Sequence, residues 1–305
     1  LTASGSFSTS YHPSSQLRAM QTAYFNGEFL PREDVRVSPD DRGFLFSDGV
    51  YEVLRAYGGR LFEVERHVDR LAYSMTAMRL GGVAATDLVP VFEDLLARND
   101  LSAADALVYL QVTRGAAPRT HRYPDPPVPP TVYAYAWAFS PDHASEDGAR
   151  AITVPDQRWA RCDIKTVALI PNCMANEQAR NAAAAEAIFV RDGVALEGTH
   201  TNLFAVFRGV VRTSPLTNYI LPGVTRAVVL ELCGEAGFEV AEEPIFADEL
   251  YRADEVFIVG TTAEVTPIVD LDGRAIGSGR PGEMSLRLAE MLTARARGRP
   301  AGSPV

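Results

Sequence analysis

The chain has 305 residues, 47% hydrophobic and 22% charged, with a formal net charge of −10. That is enough chain for two ordinary cores and is the balance of a soluble globular protein, so two domains are expected. The negative charge argues against a nucleic-acid or anionic-membrane surface, whose phosphates it would repel, so any phosphate site must be local.

No apolar run reaches the roughly 20 residues of a membrane span, and the first 20 residues lack the hydrophobic stretch of a secretory signal. Residues 1–20 are polar, Ser-rich and aperiodic, and read as an extension or arm outside the fold. Cys162, Cys173 and Cys233 have neither metal-ligand spacing nor the density of a disulfide scaffold, so a cytoplasmic location is expected.

Residues 21–139 read as a small α/β domain. A strand through Tyr51–Tyr57 turns at Gly58-Gly59 into Arg60-Leu61-Phe62. Val64, Val68, Leu71, Met75 and Met78 then share one helix face, flanked by His67 and Arg70. A second helix is expected from Thr86 as N-cap, carrying Leu88, Phe92 and Leu95/Leu96. Two strands follow, Val108/Leu110/Val112 and Tyr133/Tyr135/Trp137/Phe139, each alternating with a second set of side chains. Between them the proline-rich run at 124–130 must be a surface loop, because proline lacks the amide donor.

Residues 140–148 are short, polar and punctuated by Pro and Gly, and read as an interdomain linker. Residues 149–305 form the second domain. Its expected elements are an alanine-rich helix from Asn176 to Glu186, a hairpin turning at Asp192-Gly193 and another turning at Arg208-Gly209. A helix with Val224, Val228 and Leu232 on one side ends near Gly234 or Gly237, and Val256–Val259 is a buried strand.

The chemistry is suggested by an amine, a carboxylate and a helix start. Lys165 is the single lysine among 29 Lys and Arg residues, and lies on an alternating stretch followed by apolar Leu169-Ile170. From local pattern alone it would pass equally as a surface lysine. In a chain this rich in arginine, a lysine is expected where amine chemistry cannot be met by a guanidinium. Glu197 ends a strand and could protonate a pyridine nitrogen, although solvated loop-end glutamates are commoner. Leu221-Pro222-Gly223-Val224-Thr225-Arg226 places flexible backbone at a helix N-terminus, where unpaired amides favour a phosphate. Thr261-Thr262 could add donors and Arg70 a charged clamp. Together these suggest pyridoxal 5'-phosphate (PLP), whose aldehyde forms a Schiff base with a lysine. Arg119 and His121, two residues apart, can aim at one carboxylate, and Tyr51 could add a phenol. Metal is a rival for His67 and His121, but partners at ligand spacing are missing and no metal site is expected.

Seven segments in order make the chain similar to class IV (fold-type IV) PLP-dependent aminotransferases, and most to bacterial D-amino acid transaminases. They are Asp41-Arg42-Gly43-Phe44, Asp48-Gly49-Val50-Tyr51-Glu52-Val53, Arg66-His67-Val68-Asp69-Arg70-Leu71, Gln111-Val112-Thr113-Arg114-Gly115, Arg119-Thr120-His121, Arg161-Cys162-Asp163-Ile164-Lys165 and Thr261-Thr262-Ala263-Glu264-Val265-Thr266-Pro267. The resemblance implies an α+β, two-domain enzyme with a small N-terminal α/β sandwich, a larger PLP-binding pseudo-barrel and the cofactor at their interface. It implies that Lys165 is the Schiff-base lysine and proton shuttle, Glu197 the ring-nitrogen partner, Leu221 the ring packer, and Arg70, Val224, Thr225 and Thr261 the phosphate cup; Gly223 and Thr262 are also expected to bind the cofactor. Tyr51, Arg119 and His121 would hold the substrate carboxylate, the latter two from the neighbouring subunit of a homodimer. The implied reaction is ping-pong transfer of the amino group of a D-amino acid to a 2-oxo acid. The alternatives are a branched-chain L-amino acid transaminase, an (R)-amine transaminase and aminodeoxychorismate lyase. Thr199-His200-Thr201-Asn202 departs from the serine-rich loop of D-amino acid transaminases, and Pro222 is closer to branched-chain members; both bear on side-chain preference.

Overall fold

The computed structural model describes residues 21–140 and 147–298. The arm expected at 1–20, residues 141–146 of the expected linker, and the last seven residues lie outside the described range.

The first half is a six-stranded sheet backed by helices. Its strands are β1 (Thr22–Phe25), β2 (Glu28–Pro31), β3 (Gly49–Tyr57), β4 (Arg60–Leu61), β5 (Ala106–Thr113) and β6 (Thr131–Ala138), in the order β2-β1-β6-β5-β3-β4. The hairpin expected at Gly58-Gly59 forms, both glycines having positive φ. Alternation sorts the two faces. Val50, Leu54, Val108, Leu110, Ala134 and Ala136 pack against Val68, Leu71 and Met75 of helix α2 (Val64–Ala77) and against Phe92 and Leu95 of helix α3 (Val89–Arg98). The opposite face carries Tyr51, Tyr109, Tyr135 and Trp137 in a row of ring contacts, stacked at Tyr51–Tyr109 and Tyr135–Trp137 and tilted between Tyr109 and Tyr135. Helix α1 (Arg42–Phe46) precedes β3, capped by the Asp41 side chain on the Gly43 amide. Thr86 does not cap α3 as expected. It lies in a 3-10 turn, Ala85–Leu88, and α3 starts at Val89 because Pro90, lacking an amide, belongs in a first turn.

The second half contains β7 (Ala149–Pro155), β8 (Glu186–Arg191), β9 (Val194–Gly198), β10 (Asn202–Phe207), β11 (Val210–Thr213), β12 (Glu239–Glu242), β13 (Ile245–Phe246), β14 (Glu255–Gly260), β15 (Glu264–Leu271) and β16 (Arg274–Ala275). Six of them close on themselves, in the order β10-β14-β15-β7-β8-β9, and the ring is sealed by one pairing, Asn202 with Glu197. Ala149, Ile188, Leu203 and Ile258 pack on one face of this barrel. Phe204 and Phe257 on the other are covered by helices α5 (Val224–Ala236) and α7 (Glu283–Ala296). Helix α4 spans Ile170–Asn181 and α6 is a single turn, Ala247–Leu250.

Two local expectations fail here. The alanine-rich helix runs Ile170–Asn181, not Asn176–Glu186: Pro171 sits in its first turn and Ala183 leaves it at φ 53. Glu186, expected at the helix end, opens β8 fully buried. Lys165, read on an alternating strand-like stretch, lies in irregular backbone beside one isolated bridge, Thr166 to Val50. The halves are stitched at this point. The Tyr51 amide donates to the Lys165 carbonyl at 2.9 Å, the Lys165 amide to Ser74 Oγ at 3.2 Å, and the Val167 amide to the Gly49 carbonyl at 3.1 Å. Backbone bonds on both sides therefore fix the lysine whatever its side chain does.

Candidate active site

A cavity of about 340 Å³ opens at the seam between the two halves, bordered by Lys165, Tyr51, Glu197, Leu221, Phe46 and Trp159 among others. Lys165 Nζ lies 4.4 Å from the centre of the Tyr51 ring, a cation–π contact. Glu197 lines the same cavity from the barrel, 4% exposed. Its position follows from topology, since it lies one residue before the end of β9, at the pairing that closes the barrel.

The surroundings of Glu197 define its chemistry. Arg158 donates to Oε1, while Oε2 accepts from Asn202 Nδ2 at 3.1 Å and from the Leu221 amide at 3.0 Å. Burial pushes the Glu197 carboxyl up to about 7, and the Arg158 guanidinium offsets only part of that. A buried carboxylate with this penalty, and with lone-pair capacity left on Oε1, suits a partner that brings its own positive N–H. A protonated pyridine nitrogen is such a partner.

At the other end, α5 begins at Gly223 with no side-chain cap, so its first amides are available to an anion. A Cβ at Gly223 would collide with Asn202 Oδ1. Asn202 Nδ2 also holds the Leu221 carbonyl at 2.9 Å, so one side chain links Glu197 to the segment leading into α5. Val224, Thr225 and Thr261 meet around a small hollow of about 10 Å³ with His67 and Arg55. Arg70, Gly223 and Val224 border an adjoining groove of about 300 Å³. Arg70 is bound through Nε and Nη2 to Glu52 at 2.8 and 2.9 Å, and its Nη1 donates to the Pro222 carbonyl at 3.1 Å. Burial would raise the Glu52 carboxyl, but Arg70 outweighs it and holds Glu52 well below the usual carboxylate range.

The sequence-based candidates thus divide. Lys165, Tyr51, Glu197 and Leu221 share the main cavity, while Arg70, Gly223, Val224, Thr225 and Thr261 gather around the start of α5. Thr262 borders none of these three spaces. Arg119 and His121 are exposed and do not line the cavity of their own chain; both pack on Phe46, which does. Three residues were not singled out from sequence: Arg158 and Asn202, which fix Glu197, and Glu52, which fixes Arg70. Asp156-Gln157-Arg158 carries no local motif, and Asn202 stood out only as part of a loop. The pairings are made by the fold. Among the described residues, no cluster of three or more His, Cys, Asp or Glu could hold a metal, and no helix is long and apolar enough to cross a membrane.

The residues therefore fit PLP: a lysine amine, a buried acid for the ring nitrogen and an uncapped helix start for the phosphate, in sequence along one seam.

Comparison with known proteins agrees. Residues 49–271 match the family model described as amino-transferase class IV. The chain is 43% identical over 270 residues to a D-alanine aminotransferase of Bacillus licheniformis, covering 88% of this chain and 94% of the relative. It is 39% identical to one from Staphylococcus haemolyticus, covering 89% and 96%. Among solved structures it is similar to a T.th. branched-chain amino acid aminotransferase complexed with N-(5'-phosphopyridoxyl)-L-glutamate, with a TM-score of 0.84, 30% identity and coverage of 92% and 95%. A branched-chain amino acid aminotransferase from Escherichia coli gives a TM-score of 0.85 at 27% identity, covering 93% and 97%. The chain belongs to the class IV aminotransferases and is a PLP-dependent enzyme of the two-domain fold-type IV architecture.

Proposed function

We propose that the protein is a D-amino acid transaminase that passes the amino group of a D-amino acid to its cofactor and then to a 2-oxo acid. The observation that carries this reading is the single cavity bordered by Lys165 and Glu197, at a seam where the start of α5 follows Leu221. The D-preference is supported by the intact Arg119-Thr120-His121 segment and by the D-alanine aminotransferases to which the chain is 43% and 39% identical.

When bound, PLP supplies an aldehyde carbon for a primary amine and a ring that accepts the electrons of a broken C–H bond. Lys165 Nζ would anchor the cofactor through its aldehyde and, as a free amine, would be the base that takes the proton from the substrate Cα. Glu197 Oε1 would accept a hydrogen bond from the protonated ring nitrogen and so keep it protonated. Leu221 would pack against the ring, and the Val224 and Thr225 amides, the Thr225 and Thr261 hydroxyls, the Gly223 turn, Thr262 and Arg70 would hold the phosphate. Tyr51, Arg119 and His121 hold the substrate carboxylate, which decides which Cα hydrogen faces Lys165.

The active unit in this reading is a homodimer in which Arg119 and His121 complete the neighbouring subunit's pocket, consistent with their exposure on their own chain. The domains run 21–139 and 149–305 with a linker at 140–148. Three unpaired cysteines suit a cytoplasmic enzyme.

The test mixes holoenzyme with single D- and L-amino acids and follows the cofactor absorption band. D-alanine should shift it and L-leucine should not. The branched-chain structural neighbours favour the second reading, and a response to L-leucine with none to D-alanine would replace the first by it.

A further inference from the structure

Arg119 and His121 lie on an irregular loop, and something must hold that loop if two side chains are to grip one carboxylate. Its beginning is secured by backbone: the Arg42 amide donates to the Gly115 carbonyl at 2.9 Å and the Ala117 amide to the Asp40 carbonyl at 3.2 Å. Beyond Pro118, the one described side chain from outside the loop that bonds its backbone is Arg42. Arg42 Nη1 donates to the Thr120 carbonyl at 2.7 Å and to the Arg122 carbonyl at 3.4 Å. Thr120 is the residue between Arg119 and His121.

Arg42 is itself fixed. It is 3% exposed, and its Nε donates to Asp48 Oδ2 at 2.8 Å. Asp48 is shared with Arg114, which binds it through Nε at 2.7 Å and Nη2 at 2.9 Å and also reaches the Met78 and Arg79 carbonyls past the end of α2. The Arg42 guanidinium lies 4.8 Å from the centre of the Phe46 ring, and the same ring carries Arg119 at 5.1 Å and His121 edge-on at 5.8 Å. We propose that Arg42, anchored on Asp48, is a positioning residue that sets the Arg119–His121 turn and through it the enzyme's hold on the substrate carboxylate.

The arrangement needs arginine. One planar fork serves the Asp48 carboxylate through Nε and the Thr120 carbonyl through Nη1, a two-nitrogen spacing that the single nitrogen of an ammonium does not reproduce. Burial raises the Asp48 carboxyl, yet Arg114 and Arg42 hold it below the ordinary range, so the anchor stays ionised at neutral pH. This inference rests on the proposed carboxylate role of Arg119 and His121.

The test compares holoenzymes of wild type, Arg42→Lys, Arg42→Met and Arg119→Ala. For each, KM and kcat for D-alanine are measured together with the inhibition constant of propionate, a carboxylate without an amine. Arg42→Lys should raise KM and the propionate constant together by about 3- to 10-fold, and Arg42→Met by more, with kcat and the cofactor band within about 2-fold of wild type. If Arg42→Met does not fold, Arg42→Lys, which keeps Asp48 paired, decides. Wild-type KM and propionate constants in folded Arg42→Lys, or a fall in kcat at constant KM, would overturn the proposal. Arg119→Ala separates the two claims. If it too leaves KM and the propionate constant unchanged, the carboxylate reading falls and takes this inference with it; if it raises both while Arg42→Lys does not, only the inference falls.

Discussion

Glu197 sits where a negative charge is costly, and the protein tolerates that cost because the cofactor is expected to relieve it. Burial raises this carboxyl from 4.5 to about 7, so between those values the folded protein binds more protons than the unfolded chain. The penalty of the ionised form is therefore absent below about pH 4.5, grows through about pH 7 and is constant above. In the apo-protein, Glu197→Gln should gain stability relative to wild type as the pH rises from 5 to 8, read as the difference between the two unfolding midpoints. A difference that does not change with pH would contradict the raised carboxyl. In the loaded enzyme the same substitution should lower kcat by about 100-fold or more, because an amide cannot balance a protonated ring nitrogen. At this scale the sequence was informative in proportion to rarity. Lys165 stood out as the one lysine of the chain. Arg158, one of 28 arginines, did not, although it is the residue that meets Glu197.

At the scale of elements, α5 and the turn before it show how a backbone site is built. Gly223 is required by proximity to Asn202, not by its dihedral angle: φ is −67°, open to any residue, but a Cβ would strike Asn202 Oδ1. Asn202 would have to release the Leu221 carbonyl or Glu197, disturbing the proposed cofactor site. Gly223→Ala should therefore weaken PLP binding by about 5- to 150-fold, the equivalent of the ~1–3 kcal/mol usual for overpacking. Equilibrium titration of apo-protein with PLP checks this, and unchanged affinity would show that the turn moves freely. The helix itself was legible from the spacing of Val224, Val228 and Leu232 and from Gly237, which ends it at φ 72. Two helix starts differ from expectation for one reason: in each, a proline in the first turn sets the register, Pro90 in α3 and Pro171 in α4, and outweighs the apparent cap or alanine content.

In the whole molecule, the hairpins were readable because alternation and glycine turns are local signals, as at Gly58-Gly59 and Asp192-Gly193. The closed barrel was legible through the family resemblance alone, not through local pattern. Its closure depends on parallel pairings of β7 with β8 and β15, and on one contact between Glu197 and Asn202, none of which leaves a periodic trace. That contact nevertheless puts the acid on the cavity that the lysine also lines. The proposed dimer has its own consequence. If Arg119 and His121 serve the neighbouring subunit, Lys165→Ala and Arg119→Ala proteins, each inactive or impaired alone, should complement after mixing and subunit exchange. Random reassortment gives half heterodimers with one complete site each, so about a quarter of wild-type activity should return. Mixtures no more active than the average of their parents would place the pair in its own subunit's site.

Every step proposed above depends on a covalent bond between Lys165 and the cofactor. Its most direct measurement is reduction of the PLP-loaded protein with borohydride, followed by digestion and mass analysis of the peptide containing Lys165. A phosphopyridoxyl group is expected on that one side chain and none on the α-amino group. A PLP-loaded protein whose Lys165 peptide stays at its unmodified mass after reduction would contradict that bond.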